Sequence, residues 1–285
     1  MARLPLGGEA GEHGEPDEGW PRSGVLTAIN SVLSKLGYCR FYLTALAIRR
    51  FCIYILTESR KQMLTLKTAE LYDLSRTLAA PLLGQCEYPW QALSRIKELI
   101  LELGPALPAD EYDNPEDGVW IAKSAKVAKT ATVNGPCIIG KRTELRTGAF
   151  IRGAVIVGDA CVVGNSCELK NAILFDCVQV PHFNYVGDSI LGYRSHTGAG
   201  AITSNVKSDR TTVRVRTDDG FIETGLKKFG AMIGDLVEIG CNSVLNPGTV
   251  IGRNSTVYPL SCVRGSVPPD HIFKSIDNVV PKTKN

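Results

Sequence analysis

Several features that mark common classes of protein are scarce in this sequence. Its 285 residues carry 32 Lys and Arg against 29 Asp and Glu, and the net charge of +3 is too small and too evenly spread to indicate a nucleic-acid-binding protein. The nine cysteines form no Cys-x-x-Cys pair, and their scatter through a long chain fits a reducing compartment better than a disulfide framework. We therefore expect a cytoplasmic protein that binds no nucleic acid.

Signals for export and membrane insertion are missing as well. Residues 1–20 are acidic and glycine-rich, without the basic start of a secretory leader. Residues 24–57 are apolar, but cations interrupt them well short of the roughly 20 apolar residues that a spanning helix needs. These cations are Lys35, Arg40, Arg49 and Arg50. We predict no integral membrane segment.

Residues 1–62 show neither a capped helix nor an alternating strand. Two interpretations stay open: the native chain begins at Met63, or residues 1–62 form a native extension that is flexible or lies on a membrane surface.

Residues 63–117 have helical periodicity. Leu71, Leu74 and Leu78 share one face, and a second apolar face runs from Trp90 to Leu103. We predict two short amphipathic helices whose apolar faces pack against the following domain.

The main signal is an internal repeat over residues 118–270. Aliphatic residues recur at every sixth position, at Ile121, Val127, Val133, Ile139, Leu145, Ile151, Val157, Val163 and Leu169, and again at Ile233, Ile239, Leu245, Ile251, Val257 and Val263. Four residues after each aliphatic residue the side chain is small or compact, which assigns Cys137, Cys161 and Cys167 to interior packing. The pattern predicts a mainly β protein, a single-stranded left-handed parallel β-helix of hexapeptide repeats with a short N-terminal helical segment. Residues 271–285 are predicted to be a tail.

The six-residue register slips between Leu169 and Ile233. Within this interval, Thr211 to Arg216 alternates like a strand, residues 218–220 form a turn, and Phe221 to Thr224 read as the return strand. A hairpin loop near residues 206–230 is therefore expected to project from the helix, and a functional site is expected where the local pattern breaks.

Two cations of the repeat region are one coil apart. Arg152 and Lys170 each follow a repeat aliphatic and are eighteen residues apart, which places them in adjacent strands about 4.8 Å apart. Such a pair repels itself unless an anion lies between, and a phosphate matches an Arg fork beside a Lys charge. The alternatives are an anion site and two solvated corner residues, with Glu168 offsetting part of the charge.

His182 lies in the irregular stretch and has the chemistry of a general base at neutral pH, although a lone histidine is more often structural. Residues 119–270 contain only His182 and His196, which excludes a three-histidine zinc site within one subunit. No metal site is predicted.

Four runs in this region are similar to one known family. They are His182–Asp188, Gly198–Asn205, Lys228-Phe229 and Ile233–Asp235. They resemble the acetyltransferase domain of bifunctional N-acetylglucosamine-1-phosphate uridyltransferase/glucosamine-1-phosphate acetyltransferase enzymes, over roughly residues 119–270. The Val-Arg-Val-Arg strand and Glu223-Thr224-Gly225 are closer to the archaeal-type sugar-phosphate members.

The resemblance implies a set of roles. His182 is the general base, and the sugar phosphate is bound by Arg152, Lys170, Tyr185 and Lys228. Asn205 holds the amino sugar, Ala199 offers backbone contacts to acetyl-CoA, and Cys241 lies at the oxyanion contact. Two departures affect substrate orientation and that contact: His196 stands where bacterial members have Asn, and Cys241 where they have Ser. Residues 63–117 are too few for a nucleotide-binding α/β domain, so no nucleotidyltransferase activity is expected.

We therefore expect a CoA-dependent N-acetyltransferase that moves an acetyl group from acetyl-CoA to the amine of an amino-sugar phosphate such as glucosamine 1-phosphate. It is expected to need no metal and to form a homotrimer with sites between subunits. Two alternatives stay open: a non-catalytic module that binds sugar phosphates or nucleotide sugars, and an N-acyltransferase for another sugar nucleotide.

Overall fold

Short strands succeed one another along the chain from Tyr112 and wind into a triangular coil. The computed structural model describes residue 64 and residues 66–283. Both interpretations of residues 1–62 lie outside the described residues. Strands of neighbouring coils pair in parallel, as Ile139 pairs with Ile121 on one side and with Val157 on the other. The predicted left-handed parallel β-helix is confirmed.

The three faces of the coil are named here by their strands. Face 1 contains Thr132–Val133, Phe150–Ile151, the first parts of Glu168–Leu174 and Tyr185–Leu191, Ile202–Thr203, Val244–Leu245 and Cys262–Val263. Face 2 contains Val119–Ala122, Cys137–Ile139, Val155–Val157, the second parts of Glu168–Leu174 and Tyr185–Leu191, Ala231–Ile233, Thr249–Ile251 and Ser266–Val267. Face 3 contains Lys126–Val127, Glu144–Leu145, Val162–Asn165, Gln179–His182, His196–Thr197, Glu238–Ile239, Thr256–Val257 and His271–Ser275.

The repeat aliphatics point into the coil and form its core. Those from Ile139 onward are almost completely buried, whereas Val127, which lies in the first coil, is exposed. The compact residues four positions later are buried between them, including Cys137, Cys161 and Cys167. Burial raises the pKa of the Cys137 thiol to about 12, so this cysteine is a packing residue, as predicted.

Two successive coils are one residue shorter than their neighbours. Leu169 lies eighteen residues after its partner Ile151, but Ala172 lies seventeen residues after Val155. The lost residue belongs to the corner between face 1 and face 2, where Asn171 adopts a left-handed φ of 48°. Pairing continues through this corner, so the slip in register after Leu169 is a change of spacing within an uninterrupted stack.

The glycines that follow repeat aliphatics are required by the close approach of stacked corners. A Cβ at Gly158 would lie 2.7 Å from Asp176 N, and one at Gly234 would lie 2.9 Å from Arg253 N. The left-handed φ of these corners falls on later residues, such as Ala160 at 53°. The missing Cβ therefore serves packing between coils and not the turn itself.

The N-terminal helical segment is more broken than predicted. It contains helices α1 (Thr68–Leu71), α2 (Ala80–Leu83) and α3 (Ile96–Leu103), and 3₁₀ turns at Leu74–Arg76, Pro89–Arg95 and Gly104–Ala106. The prediction of two helices was wrong because Tyr72 and Thr77 adopt extended backbone between the leucines of the first apolar face.

The helical segment covers face 2. Helix α3 packs on the strands Cys137–Ile139, Val155–Val157 and Glu168–Leu174, in agreement with the expected packing role. The outward residues of this face form an aliphatic column that is fully buried, and its part from Ile138 to Ile190 lies on the strands that the segment contacts. Its members are Ile138, Ile156, Ile173, Ile190, Met232 and Val250.

The same segment is anchored at the corner between faces 2 and 3. The Asp235 carboxylate accepts hydrogen bonds from Asp73 N and Tyr193 N, both at 2.8 Å, and Asp235 N donates to Leu71 O at 3.1 Å. Burial raises the pKa of Asp235, although Arg253 lies 2.9 Å away. Asp235 therefore links the helical segment to the coil.

Two further predictions need correction. The hairpin strands Arg214–Thr217 and Gly220–Glu223 are present, but the hairpin does not simply project: Val213 and Val215 are buried, and Ser266 Oγ donates to Arg216 O at 2.9 Å. Residues 271–281, predicted as a tail, continue the stack. His271–Ser275 pairs with Thr256–Val257 and turns back on Asn278–Pro281. The spacing there is sixteen residues, from Val257 to Phe273, which the six-residue pattern does not follow.

Candidate active site

The corner between face 1 and face 2 carries most of the residues predicted to bind a substrate. Arg152 and Lys170 lie there in adjacent coils, as their spacing predicted, since Arg152 N donates to Leu169 O at 2.8 Å. The next corners hold Asp188 and Asn205, and the hairpin loop is inserted directly after them.

Asp188 is the centre of this cluster, and its side chain is only 5% exposed. Its carboxylate lies 3.2 Å from Lys170 Nζ and accepts a hydrogen bond from Asn171 Nδ2 at 2.9 Å. Asn205 Nδ2 donates to the same carboxylate. A buried carboxylate is stable only with such partners, so Asp188 fixes Lys170, Asn171 and Asn205 relative to one another.

Arg152 has a carboxylate partner of its own. Its Nη1 lies 2.6 Å from Glu168 Oε1, and both side chains remain partly exposed. The repulsion expected between Arg152 and Lys170 is therefore relieved within the chain, one cation by Glu168 and the other by Asp188. The argument that repulsion requires a bound anion was wrong for this reason, and a phosphate here would bind in competition with the two carboxylates.

Tyr185 completes the cluster on face 1. Asn205 Nδ2 lies 3.2 Å from Tyr185 Oη, and burial raises the pKa of this phenol above its usual value. The ring lies over Gly187, where a Cβ would collide with the phenol oxygen. Exposed Lys228 precedes Phe229, whose N–H donates to Asn205 O at 2.9 Å, so the end of the loop returns to the same place.

His182 lies at the opposite edge of face 1, at the corner that leads from face 3. Its side chain is exposed, and within the described part of the chain neither ring nitrogen has a hydrogen-bond partner. Tyr185 stands on the strand between this corner and the Asp188 corner. The structure thus places His182 and the cation cluster at the two ends of one strand.

Buried Asn184 fixes the His182 corner to the next coil. Its Nδ2 donates to Gly198 O at 2.8 Å and to Ala201 O at 3.2 Å, and its Oδ1 accepts from His182 N at 3.0 Å. Because Gly200 N also donates to His182 O at 3.0 Å, the histidine is held directly beside the turn that contains Ala199.

Ala199 and Cys241 occupy successive corners of this same edge. Asn242 N donates to Ala199 O at 2.8 Å, which stacks the two turns. Among the described residues, neither the Ala199 N–H nor the Cys241 N–H has a partner. Two free backbone donors in the two corners that follow the histidine along this edge can bind a carbonyl oxygen and the charge that develops on it.

His196 lies outside both groups. Its Nδ1 lies 2.8 Å from Glu238 Oε2 on the outer surface of face 3. No group of three or more His, Cys, Asp or Glu with the geometry of a metal site occurs among the residues described. No helix in that part of the chain is long and apolar enough to cross a bilayer.

Three residues of the site were not assigned roles from the sequence: Asp188, Asn171 and Asn184. The partners of Asp188 come together because the corner at residues 170–171 is one residue short, which a fixed six-residue pattern does not reveal. Asn184 carried a readable signal, because it occupies an interior position of the repeat, where a buried amide requires hydrogen-bond partners.

Comparison with known proteins agrees with this architecture. A family model described as the GMPPB C-terminal domain matches residues 133–219. The chain is 31% identical over 174 residues to a bifunctional sugar-1-phosphate nucleotidylyltransferase/acetyltransferase of Sulfurisphaera tokodaii, covering 55% of this chain and 43% of that protein. It is 30% identical over 248 residues to the bifunctional protein GlmU of Methanococcus aeolicus, covering 75% of this chain and 59% of that protein.

The chain thus spans about half the length of these bifunctional relatives. A third relative is an uncharacterized acetyltransferase, YaiX, of Escherichia coli O6:K15:H31, to which the chain is 30% identical over 156 residues. This match covers 55% of this chain and 68% of that protein, a larger share than for the bifunctional relatives. With this coverage and the β-helix described above, the chain belongs to the family of hexapeptide-repeat acetyltransferases.

Proposed function

We propose that the protein transfers an acetyl group from acetyl-CoA to the amine of an amino-sugar phosphate, with His182 as general base. The observation that carries this proposal is the position of His182: its imidazole is exposed, its backbone is fixed by Asn184 beside the turn of Ala199, and the next two corners along the same edge each have a free backbone N–H group, at Ala199 and Cys241. This arrangement offers a proton acceptor and an oxyanion contact side by side.

In this mechanism the Ala199 and Cys241 N–H groups bind the thioester carbonyl oxygen. The neutral imidazole of His182 takes a proton from the substrate amine as its nitrogen attacks the carbonyl carbon. The C–S bond then breaks and the CoA thiolate leaves. His182 gives this thiolate the proton that it took from the amine. Metal ions have no part in these steps.

The acceptor lies along face 1, from the His182 corner to the Asp188 corner. Arg152, Lys170 and Lys228 attract its phosphate, and Asn205 and Tyr185 contact the sugar. Since Glu168 and Asp188 already neutralise two of these cations, the phosphate is bound in part by displacing Glu168 from the more exposed Arg152. Several positioned contacts at one end of the sugar hold its amine close to the base.

We further propose a homotrimer. Face 2 is covered by the chain's own helical segment, so faces 1 and 3 are the surfaces available to neighbours, and the His182 edge lies between them. A shared site at this edge would also give the free ring nitrogens of His182 their partners. Light scattering at micromolar concentration tests this; a monomer would contradict a site shared between subunits.

The enzymatic test combines acetyl-CoA with glucosamine 1-phosphate and monitors release of free CoA thiol. Turnover that depends on the acceptor and is lost in His182→Ala supports the proposal. Acceptor binding without acetyl transfer by the unaltered protein would instead identify the non-catalytic sugar-phosphate module.

A further inference from the structure

A cleft separate from the proposed acetyl-transfer site lies between the hairpin loop and the C-terminal strands of face 1. Its volume is about 420 Å³, within the range of small-molecule sites. The solenoid supplies Ser204, Asn246 and Arg264, and the loop supplies Lys207, Arg214 and Phe221. None of these six residues belongs to the acetyl-transfer site proposed above.

The cleft has an excess of positive charge. Three of its lining residues are cations and one is an anion, Asp209, which lies 3.3 Å from Lys207 Nζ. Arg214 Nε lies 3.8 Å from Glu223 Oε1, and Arg264 has no ion-pair partner in the described ranges. The aliphatic part of the Arg216 side chain lies against Gly265, the residue after Arg264.

An aromatic ring accompanies these cations. Phe221 is 59% exposed although it is a large apolar side chain, and the Arg214 guanidinium lies 4.8 Å from the centre of its ring. The Arg214 guanidinium can cover only one face of the exposed Phe221 ring, so a planar group can stack on the other face. Arginines arranged for a phosphate and a ring arranged for a base are the two elements of nucleotide recognition.

We infer that this cleft binds a nucleoside diphosphate, with the phosphates on Arg264 and Arg214 and the base against Phe221. The hairpin is held in place for this purpose by the buried Val213 and Val215 and by the Ser266–Arg216 hydrogen bond. The nucleoside diphosphate has two sources, a nucleotide-linked sugar or the nucleotide end of CoA. The inference does not depend on acetyl transfer, because binding is measured without turnover.

Isothermal titration of the full chain with UDP, and separately with inorganic pyrophosphate, tests the assignment. Arg264→Ala is expected to weaken both ligands about tenfold or more, since it removes a charge-assisted contact. Phe221→Ala is expected to weaken UDP about fivefold or more by loss of stacking and to leave pyrophosphate unchanged. Lys129→Ala, which removes an exposed positive charge outside the cleft, is the matched control and should bind both ligands normally.

Competition experiments distinguish the two sources of the nucleotide, and variants of Lys170 and Arg264 show at which site UDP binds. Displacement of UDP by CoA assigns the nucleotide to the acetyl donor, and displacement by a UDP-sugar assigns it to the acceptor. Absence of saturable UDP binding at millimolar concentration overturns the inference. So does UDP binding that is lost in Lys170→Met but kept in Arg264→Ala, or that is insensitive to Phe221→Ala. Both cleft variants alter exposed side chains and should keep the melting temperature of the parent.

Discussion

The amide of Asn184 is expected to control both the stability of the coil and the position of His182, the proposed general base. Asn184→Ala removes two hydrogen bonds to the next coil, to Gly198 O and Ala201 O, and one within its own corner, from His182 N; a weak contact from Cys167 Sγ at 3.5 Å is lost as well. At about 1 kcal/mol for each buried hydrogen bond, the free energy of unfolding should fall by about 3 kcal/mol. For a folded unit of this size that corresponds to a fall in Tm of about 6–12 °C.

The matched control is Asn165→Ala. Asn165 lies in the corresponding corner one coil earlier, at the position that pairs with His182, and its partly exposed side chain donates a single hydrogen bond, to Thr147 O at 3.1 Å. Its loss should lower Tm by about 2–4 °C. Asn184→Asp should destabilise at least as much as Asn184→Ala, since it keeps the contact to His182 N but sets a buried carboxylate against two carbonyl oxygens.

Scanning calorimetry gives the stability of these variants, and steady-state kinetics gives the effect on the base. At a temperature where all of them are folded, Asn184→Ala should lower kcat more than it raises the KM for the acceptor, because it loosens the corner of His182 and not the face that binds the phosphate. If Asn184→Ala melts within the range of the Asn165→Ala control, the amide does not join the two coils and the reasoning fails.

Three further predictions concern the site and the core. His182→Ala should lower kcat by roughly 10²- to 10⁴-fold with little change in KM, as measured by release of CoA thiol, and near-normal turnover would make the histidine structural. Arg152→Ala and Lys170→Ala should mainly raise the KM for the acceptor, by roughly tenfold or more each; equal loss of kcat in all three variants would contradict the separation of base and phosphate ligands. Brief alkylation with iodoacetamide at neutral pH followed by mass spectrometry should modify exposed Cys241 and spare Cys137, whose thiol is buried and has a raised pKa; modification of Cys137 in the folded protein would contradict the packing role.

The coil itself could be predicted because its interior obeys a strict spacing. An inward side chain at every sixth position is a geometric requirement of the triangular coil, so the column from Ile139 to Leu169 is visible in the sequence and is buried in the structure. The same rule misses coils of unequal length. Phe273 stacks on Val257, but after a coil of sixteen residues, so the six-residue rule predicts a tail from residue 271 onward.

The sequence contains a second periodicity, at the outward positions of face 2. Ile138 and Ile156 are eighteen residues apart, and Ile173 and Ile190 follow at intervals of seventeen. These are outward positions, where a solvent-exposed coil would carry polar residues. An aliphatic column on the outside of the coil indicates that another segment covers that face. The helical periodicity of residues 63–117 alone does not show which face this is.

For the site, the spacing placed Arg152 and Lys170 in adjacent coils and the sequence offered Glu168 as a neighbouring carboxylate, but neither showed which cation Glu168 pairs with, nor that Asp188 takes part. Glu168 is two residues from Lys170 in sequence yet pairs with Arg152 of the previous coil, and Asp188 pairs with Lys170 of the coil before it. Which carboxylate meets which cation depends on corner conformation, and the left-handed φ values of Asn171 and Asp188 have no unique sequence signature.

The covered face determines where this protein can be divided. Judged by the repeat alone, a fragment that starts at residue 118 would contain every coil and appear complete. Such a fragment would expose the outward side chains from Trp120 to Ile190 on five strands, a length of about 19 Å. Burying these side chains contributes on the order of 10 kcal/mol, comparable with the whole net stability of an ordinary domain. Residues 66–106 therefore form part of the folded unit, and the smallest piece worth purifying includes them.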